Sequence, residues 1–322
     1  MPVSLAVLQI AGGILYLLMG GDLLVRGAMA LSHRTRFSPM VIGLTVVALG
    51  TSAPELVVTL SAALGAYPEI AAANVVGSNI ANVLLVMAVP ALLFPLAFDK
   101  TSARSHSVFM LLVSVLFFVL CWDEQLSRAD GLVLLAGLVL FLALQAGTKL
   151  DVEEEPVAPT LLPSVLGLPA RRWSLALVIV VRAVMLPLEA GLLLDGGVGL
   201  GEMIGISNEV IGLTLIALST SLPELATTMV AVYKRQSSLA VGNLIGSNIL
   251  NVLGIMGIAS TVRPRELAVR AQFMTFDLPL MLTAATIVTG LAFRRGTVGK
   301  RLAGLMFGMY VVYTYLLYTG GS

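Results

Sequence analysis

GLTVVALGTSAPEL, Gly43 to Leu56, carries a glutamate that an ordinary membrane helix would not tolerate. Glu55 follows Pro54 directly and stands just beyond Thr51 and Ser52, with apolar sequence on both sides and no Lys or Arg near enough to neutralise it. A charge at bilayer depth costs at least about 2.5–3.5 kcal/mol on insertion scales, so such a carboxylate reads as a functional group facing water or a partner. The stretch then recurs 169 residues later as GLTLIALSTSLPEL, Gly212 to Leu225, with Glu224 in the place of Glu55.

Extending that offset outward aligns Ser38–Pro90 with Ser207–Ala259 without a gap, with 25 identities in 53 positions. Shared hydrophobicity does not account for them, because the identical positions include polar pairs: Thr45 and Thr214, Thr51 and Thr220, Ser52 and Ser221, Asn74 and Asn243, Ser78 and Ser247, Asn79 and Asn248, Asn82 and Asn251. The segment is duplicated.

The rest of the chain fits a membrane. It has 322 residues, 58% hydrophobic and only 11% charged, with mean hydropathy +0.98 and net charge +1, whereas a soluble domain carries about 25% charged residues. No basic surface suggests nucleic acid. Cys121, the one cysteine, reads as a small apolar side chain. The first apolar segment lacks a charged leader and a cleavage site and reads as a retained span. Counting apolar runs of about 20 residues gives an all-α polytopic protein with ten spans: 3–31, 38–64, 69–92, 105–122, 126–146, 173–200, 207–232, 238–260, 268–293 and 298–318. The expected organisation is a first five-helix unit over 1–147, an acidic linker over 148–172 containing DVEEE, and a second five-helix unit over 173–322.

The copies lie five spans apart, an odd number, so they enter the bilayer in opposite directions as an inverted repeat, with a substrate site expected where their broken helices meet near the midplane. Alternate loops hold fourteen Lys and Arg against four. The positive-inside rule therefore places the linker in the cytoplasm and both termini outside.

At the site, Pro54 and Pro223 lack the amide hydrogen that would bond the Gly50 and Ser219 carbonyls, and each is expected to kink its helix. Glu55 lies four residues after Thr51 and three after Ser52, so these groups can face one point. The second motif, GSNIAN (Gly77 to Asn82) and GSNILN (Gly246 to Asn251), places Ser78 with Asn82 and Ser247 with Asn251 on one helix face, while Gly77 and Gly246 permit close helix approach. Carboxylates, amides, hydroxyls and carbonyls are all oxygen donors, the set that hard cations such as Ca²⁺ take. Zinc or copper would call for His or Cys, and His33 and His106 fall in or beside the basic loops. Asp22 and Arg26 are spaced to pair, Glu189 and Arg182 to pair through water or line a path, and Asp277 has no evident partner.

These motifs, ALGTSAPEL with NVVGSNIAN and ALSTSLPEL with NLIGSNILN, resemble those of the cation/calcium antiporter superfamily and, within it, the prokaryotic sodium/calcium exchangers. The resemblance implies a central Ca²⁺ site on Glu55 and Glu224 with carbonyls near Thr51 and Thr220. It also implies flanking Na⁺ sites involving Ala48, Ser52 and Ser78 in one half and Ala217, Ser221 and Ser247 in the other. Spans one and six would slide as a gate over an eight-helix core. The implied activity is exchange of Na⁺ for Ca²⁺ in the cell's inner membrane by a monomer without cofactor. GTSAPE and STSLPE stand where a cation/proton exchanger, the alternative, tends to carry GNAxE, and Asn251 stands where some relatives have an acid. No intramembrane-protease motif supports an enzyme. A channel would be told apart by flux that needs no opposed ion gradient.

Overall fold

The computed structural model describes residues 2–35, 37–65, 69–98, 101–147, 164–165, 168–169, 172–203, 220–263, 266–269 and 273–320. Its helices are α1 (Val3–Thr35), α2 (Pro39–Thr51), α3 (Ala53–Leu64), α4 (Ile70–Leu93), α5 (Thr101–Leu120), α6 (Arg128–Gly147), α7 (Arg172–Met203), α8 (Leu222–Tyr233), α9 (Ser237–Val262), α10 (Phe273–Arg294) and α11 (Lys300–Gly320). Among the described residues, seven helices are long and apolar enough to cross a membrane, and the bent pair α2–α3 makes eight if it is one span. The seventh expected span begins in residues 204–219, outside the described residues, as does most of the acidic linker. Where the linker is described it is not plain coil. Ser164–Val165 and Leu168–Pro169 pair antiparallel as β3 and β4, and β3 touches α1.

Burial sorts the helices. α9 is buried throughout and α4 largely so, whereas α1, α6 and α7 turn Leu8, Leu15, Val139, Leu140, Val180 and Leu188 outward, where lipid replaces water as their solvent. Helices apolar all round have no amphipathic stripe to orient them, so small residues decide where they touch. In the core, α2 crosses α9 with backbone on backbone. A Cβ at Gly43 would stand 2.6 Å from the Leu239 carbonyl, and one at Gly246 would stand 2.6 Å from Leu44 Cα.

At the periphery, Gly13, Gly20 and Gly27 recur every seven residues along α1, close to two helical turns, and so share a face. That face lies on α7, where Cβ atoms would meet Leu193 at 2.7 Å, Arg182 and Glu189 at 2.5 Å, and Ile179 at 3.1 Å. Gly196 of α7 returns the fit against the Ala6 carbonyl at 2.7 Å.

Contacts also tie the two halves together reciprocally. α5 packs on α10, α6 on the last turns of α9, and α11 on the last turns of α4. Two short antiparallel clips join loops of opposite halves: β1 (Leu96–Ala97) with β6 (Thr297–Val298), and β2 (Gln125–Leu126) with β5 (Leu267–Ala268).

Candidate cation-binding site

α2 and α3 meet at 49°. The break is at Ser52, which has φ −85° and ψ 12°, and Ser221 before α8 repeats it with φ −86° and ψ 0°. This corrects the expected origin of the kink. Pro54 does not interrupt a continuous helix but sits in the first turn of a new one, and Pro223 likewise sits in the first turn of α8, where the missing amide hydrogen has no partner to lose. Glu55 and Glu224 consequently stand in first turns, at the positive ends of the helix dipoles, which favour a carboxylate there. The second motif is irregular as well. Asn82 opens a π-helical segment, Asn82–Val86, within α4, and Asn251 opens Asn251–Met256 within α9. Wide turns of this kind cluster at functional sites.

The tertiary structure brings the two motifs into one buried centre. Glu55 and Glu224 are each 1% exposed and make no ion pair with any described residue. Ser52 Oγ donates to Glu224 Oε1 at 3.0 Å, from one half to the other. Thr51 Oγ1 donates to Asn243 Oδ1 at 3.2 Å, and its hydroxyl and that of Ser247 also lie beside the Glu224 carboxylate. Asn251 Nδ2 donates to Asn79 Oδ1 at 3.0 Å, and Asn79 Nδ2 to the Asn248 carbonyl at 3.2 Å. The Ala48 carbonyl accepts from the Ser52 amide at 2.9 Å and from Thr51 Oγ1. Ser78 and Thr220 are buried. Ala217 lies outside the described residues.

What remains unpaired is informative. Among the described residues, Glu55 Oε2, Glu224 Oε2, Asn82 Oδ1, Asn251 Oδ1, Ser221 Oγ and Ser247 Oγ are buried with no hydrogen-bond partner, as is one nitrogen, Asn243 Nδ2. Buried polar atoms left unpaired are costly and call for an explanation. Six of these are oxygens, and Ca²⁺ takes about 6–8 oxygens at roughly 2.3–2.6 Å, so the donor set suits a hard cation. Asn79 and Asn243 were not among the residues assigned to the site from sequence. Their identity in both repeats was the available signal, but it does not distinguish a residue of the site from packing between helices.

Outside this centre the charged residues singled out in the sequence find partners. Asp22 bonds Arg26 at 2.7 Å and also Lys234, at the end of α8, at 2.6 Å. Glu189 pairs directly with Arg182 at 2.9 Å, with no intervening water required. Asp277 does have a partner: Tyr313 donates to it from α11 at 2.8 Å. His106 is inside α5 rather than in a loop, buried between the Ser102 carbonyl and Gln145. Gly246 makes the expected close crossing. Gly77 has nothing among the described residues within 4 Å of its Cβ position, and Leu213, its equivalent neighbour, lies outside them.

A multi-pass helical bundle around such a centre falls in the class of membrane cation/calcium antiporters. The family model described as "Sodium/calcium exchanger protein" matches residues 5–147 and 174–319, and the chain belongs to that family. It is 34% identical over 333 residues to the sodium/calcium exchanger MaX1 of Methanosarcina acetivorans, covering 93% of this chain and 94% of the relative. It is 34% identical over 316 residues to the inner membrane protein YrbG of Escherichia coli (strain K12), covering 95% and 94%. Among solved structures, the sodium-calcium exchanger NCX_Mj soaked with zero Na⁺ and Ca²⁺ superposes with TM-score 0.81 at 26% identity, covering 98% of this chain and all of that one.

Proposed function

We propose that the protein is a secondary antiporter exchanging Na⁺ for Ca²⁺ by alternating access at a midplane site built on Glu55 and Glu224. The observation that carries this reading is that one glutamate from each half is buried without an ion pair among unpaired oxygens, with Ser52 of the first half donating to Glu224 of the second. Glu55 and Glu224, with oxygens of Thr51, Thr220, Asn82 and Asn251, would hold Ca²⁺. Ala48, Ser52 and Ser78, and Ala217, Ser221 and Ser247, would hold Na⁺. Two carboxylates supply about −2, which one Ca²⁺ balances, so sodium ions must compete for the same oxygens. An empty pair of charges crosses a low-dielectric barrier reluctantly, and that reluctance enforces exchange.

The ten spans form two inverted five-helix repeats, 1–147 and 173–322. Two features support this: the family model's two separate matches, and the β1–β6 and β2–β5 clips, each joining loops that the inverted arrangement puts on one membrane face. In this arrangement α1 and α7 slide as a gate over the remaining helices of a monomer. The protein would lie in the inner membrane, the location in YrbG's name, with both termini outside.

The test is Ca²⁺ uptake into vesicles against opposed Na⁺, H⁺ and K⁺ gradients, with the potential clamped by potassium and valinomycin. The expected result is uptake that requires a Na⁺ gradient and responds to voltage, as exchange of three Na⁺ for one Ca²⁺ demands. Uptake driven as well by protons alone favours a cation/proton exchanger, and saturating flux without any opposed gradient favours a channel. For orientation, a cysteine at exposed Asp123 should react with an impermeant reagent added outside intact cells, and one at exposed Arg301 should not.

A further inference from the structure

Asn74 and Asn243 occupy the same place in the two repeats, as do Thr59 and Thr228, yet their side chains are engaged differently. In the first half Asn74 Nδ2 donates to Thr59 Oγ1 at 2.9 Å and to the Glu55 carbonyl at 3.4 Å. Those bonds brace α4 against the helix that carries Glu55. In the second half Asn243 Nδ2 and Thr228 Oγ1 are both buried without a partner among the described residues. Asn243 works through its other end, accepting at Oδ1 from Thr51 Oγ1 of the opposite half at 3.2 Å.

A threonine hydroxyl has one proton and two lone pairs. Two side-chain or backbone carbonyls lie within reach of that proton, Asn243 Oδ1 at 3.2 Å and Ala48 at 3.4 Å; with the proton directed to the nearer, Asn243, what Thr51 turns to the Glu224 side of the centre is lone pairs, the face a cation binds. Leaving the Asn243 amide hydrogens unsatisfied in a buried place is unfavourable, so the cross-half bond is held against a penalty.

We infer that Asn243 is a positioning residue: its side-chain carbonyl fixes the Thr51 proton and so presents the Thr51 oxygen to the transported cation. Its twin Asn74 acts through its amide donor as a brace for Glu55. The inference rests on the proposed exchange of Na⁺ for Ca²⁺ at Glu55 and Glu224. It makes the two equivalent asparagines respond oppositely to the same change, because aspartate keeps the acceptor oxygen and loses the donor.

The experiment measures the initial rate of Na⁺-driven Ca²⁺ uptake in vesicles as a function of Ca²⁺ concentration. Asn243→Leu should raise half-saturation about fivefold, the effect of one lost hydrogen bond, with the maximal rate held within about twofold. Asn243→Asp should return half-saturation toward the wild-type value, whereas Asn74→Asp should raise it. Wild-type half-saturation in Asn243→Leu overturns the assignment, as does an Asn243→Asp protein no better than Asn243→Leu. A fall confined to the maximal rate marks a structural role and overturns it too. Should Asn243→Leu fail to fold, the contrast between Asn243→Asp and Asn74→Asp decides alone, and equal responses sink the inference. If the wild-type protein shows no Na⁺-driven uptake, the reading of function falls first and this inference with it.

Discussion

Two glycine-fitted helix crossings, built on the same principle, do different things in this protein. Where α2 crosses α9, backbone meets backbone at Gly43, Gly242 and Gly246, and the crossing stands among Thr51, Ser52, Asn243 and Ser247 at the buried centre. Where α1 crosses α7, Gly13 and Gly196 meet backbone of the partner helix while Gly20 and Gly27 accept its side chains, and the outer faces are apolar and exposed. The first crossing locks the two halves together and cannot shift without separating the candidate ligands. The second joins α1 to α7, and the pair packs in turn on α8, α2 and α3, with Gly21 against the Ala226 carbonyl and the Asp22–Lys234 ion pair at the α8 contact. The same small-residue device therefore stands at the candidate site in one place and in the proposed moving gate in the other.

The most severe way to break this comparison is to neutralise the fixed centre. Glu55→Gln and Glu224→Gln should each lower Na⁺-driven Ca²⁺ uptake by at least about a hundredfold, equivalent to ~2.7 kcal/mol, while the proteins remain folded and inserted. Undiminished uptake by either purified variant would remove the centre's claim to be the transport site.

Next in size is a lock between the two bodies. Cysteines replacing Asp22 and Lys234, bridged by a cleavable bifunctional thiol reagent, should bring uptake to background, and reduction should restore it. Cys121 is buried and should not compete for the reagent. Full activity in the bridged protein would mean that α1 does not move against α8.

The smallest effect concerns packing alone. Gly246→Ala forces a Cβ into the Leu44 backbone and should destabilise the protein by about 1–3 kcal/mol, read as a lower melting temperature in detergent. Gly304→Ala, on an open face of α11, should be neutral or slightly stabilising because alanine is the better helix former. Equal responses at the two positions would mean that the α2–α9 crossing is looser than its geometry.

Much of the architecture was legible in sequence because lipid imposes a simple rule. With no water to satisfy the backbone, spans must be helices, and their lengths follow from bilayer thickness. The helix ends and the close crossing at Gly246 followed from that rule and from the repeat. The position of the break was not legible, because Pro54 fits equally well inside a kinked helix or in the first turn of a new one. Only the backbone at Ser52 and Ser221 distinguishes the two. The π-helical segments at Asn82 and Asn251 leave no local signature, since a wide turn is imposed by what packs against it. Asp277 seemed partnerless for a related reason: Tyr313 lies 36 residues away, on another helix.

The sequence by itself determined that the chain is a duplicated, all-helical membrane protein with a glutamate in each copy and an oxygen-only set of polar residues around it. Those facts are carried by residue type and by the 169-residue offset, which need no coordinates. Only the tertiary structure decided that Ser52 reaches Glu224 rather than its own Glu55, that Asn243 turns to Thr51 while Asn74 stays with Thr59, and that Asp22 reaches across to Lys234. The physical reason is that a repeat gives both copies the same hydrogen-bonding capacity. Which donor meets which acceptor is fixed by how the two halves pack, and hydrogen bonds and ion pairs act only over a few ångströms.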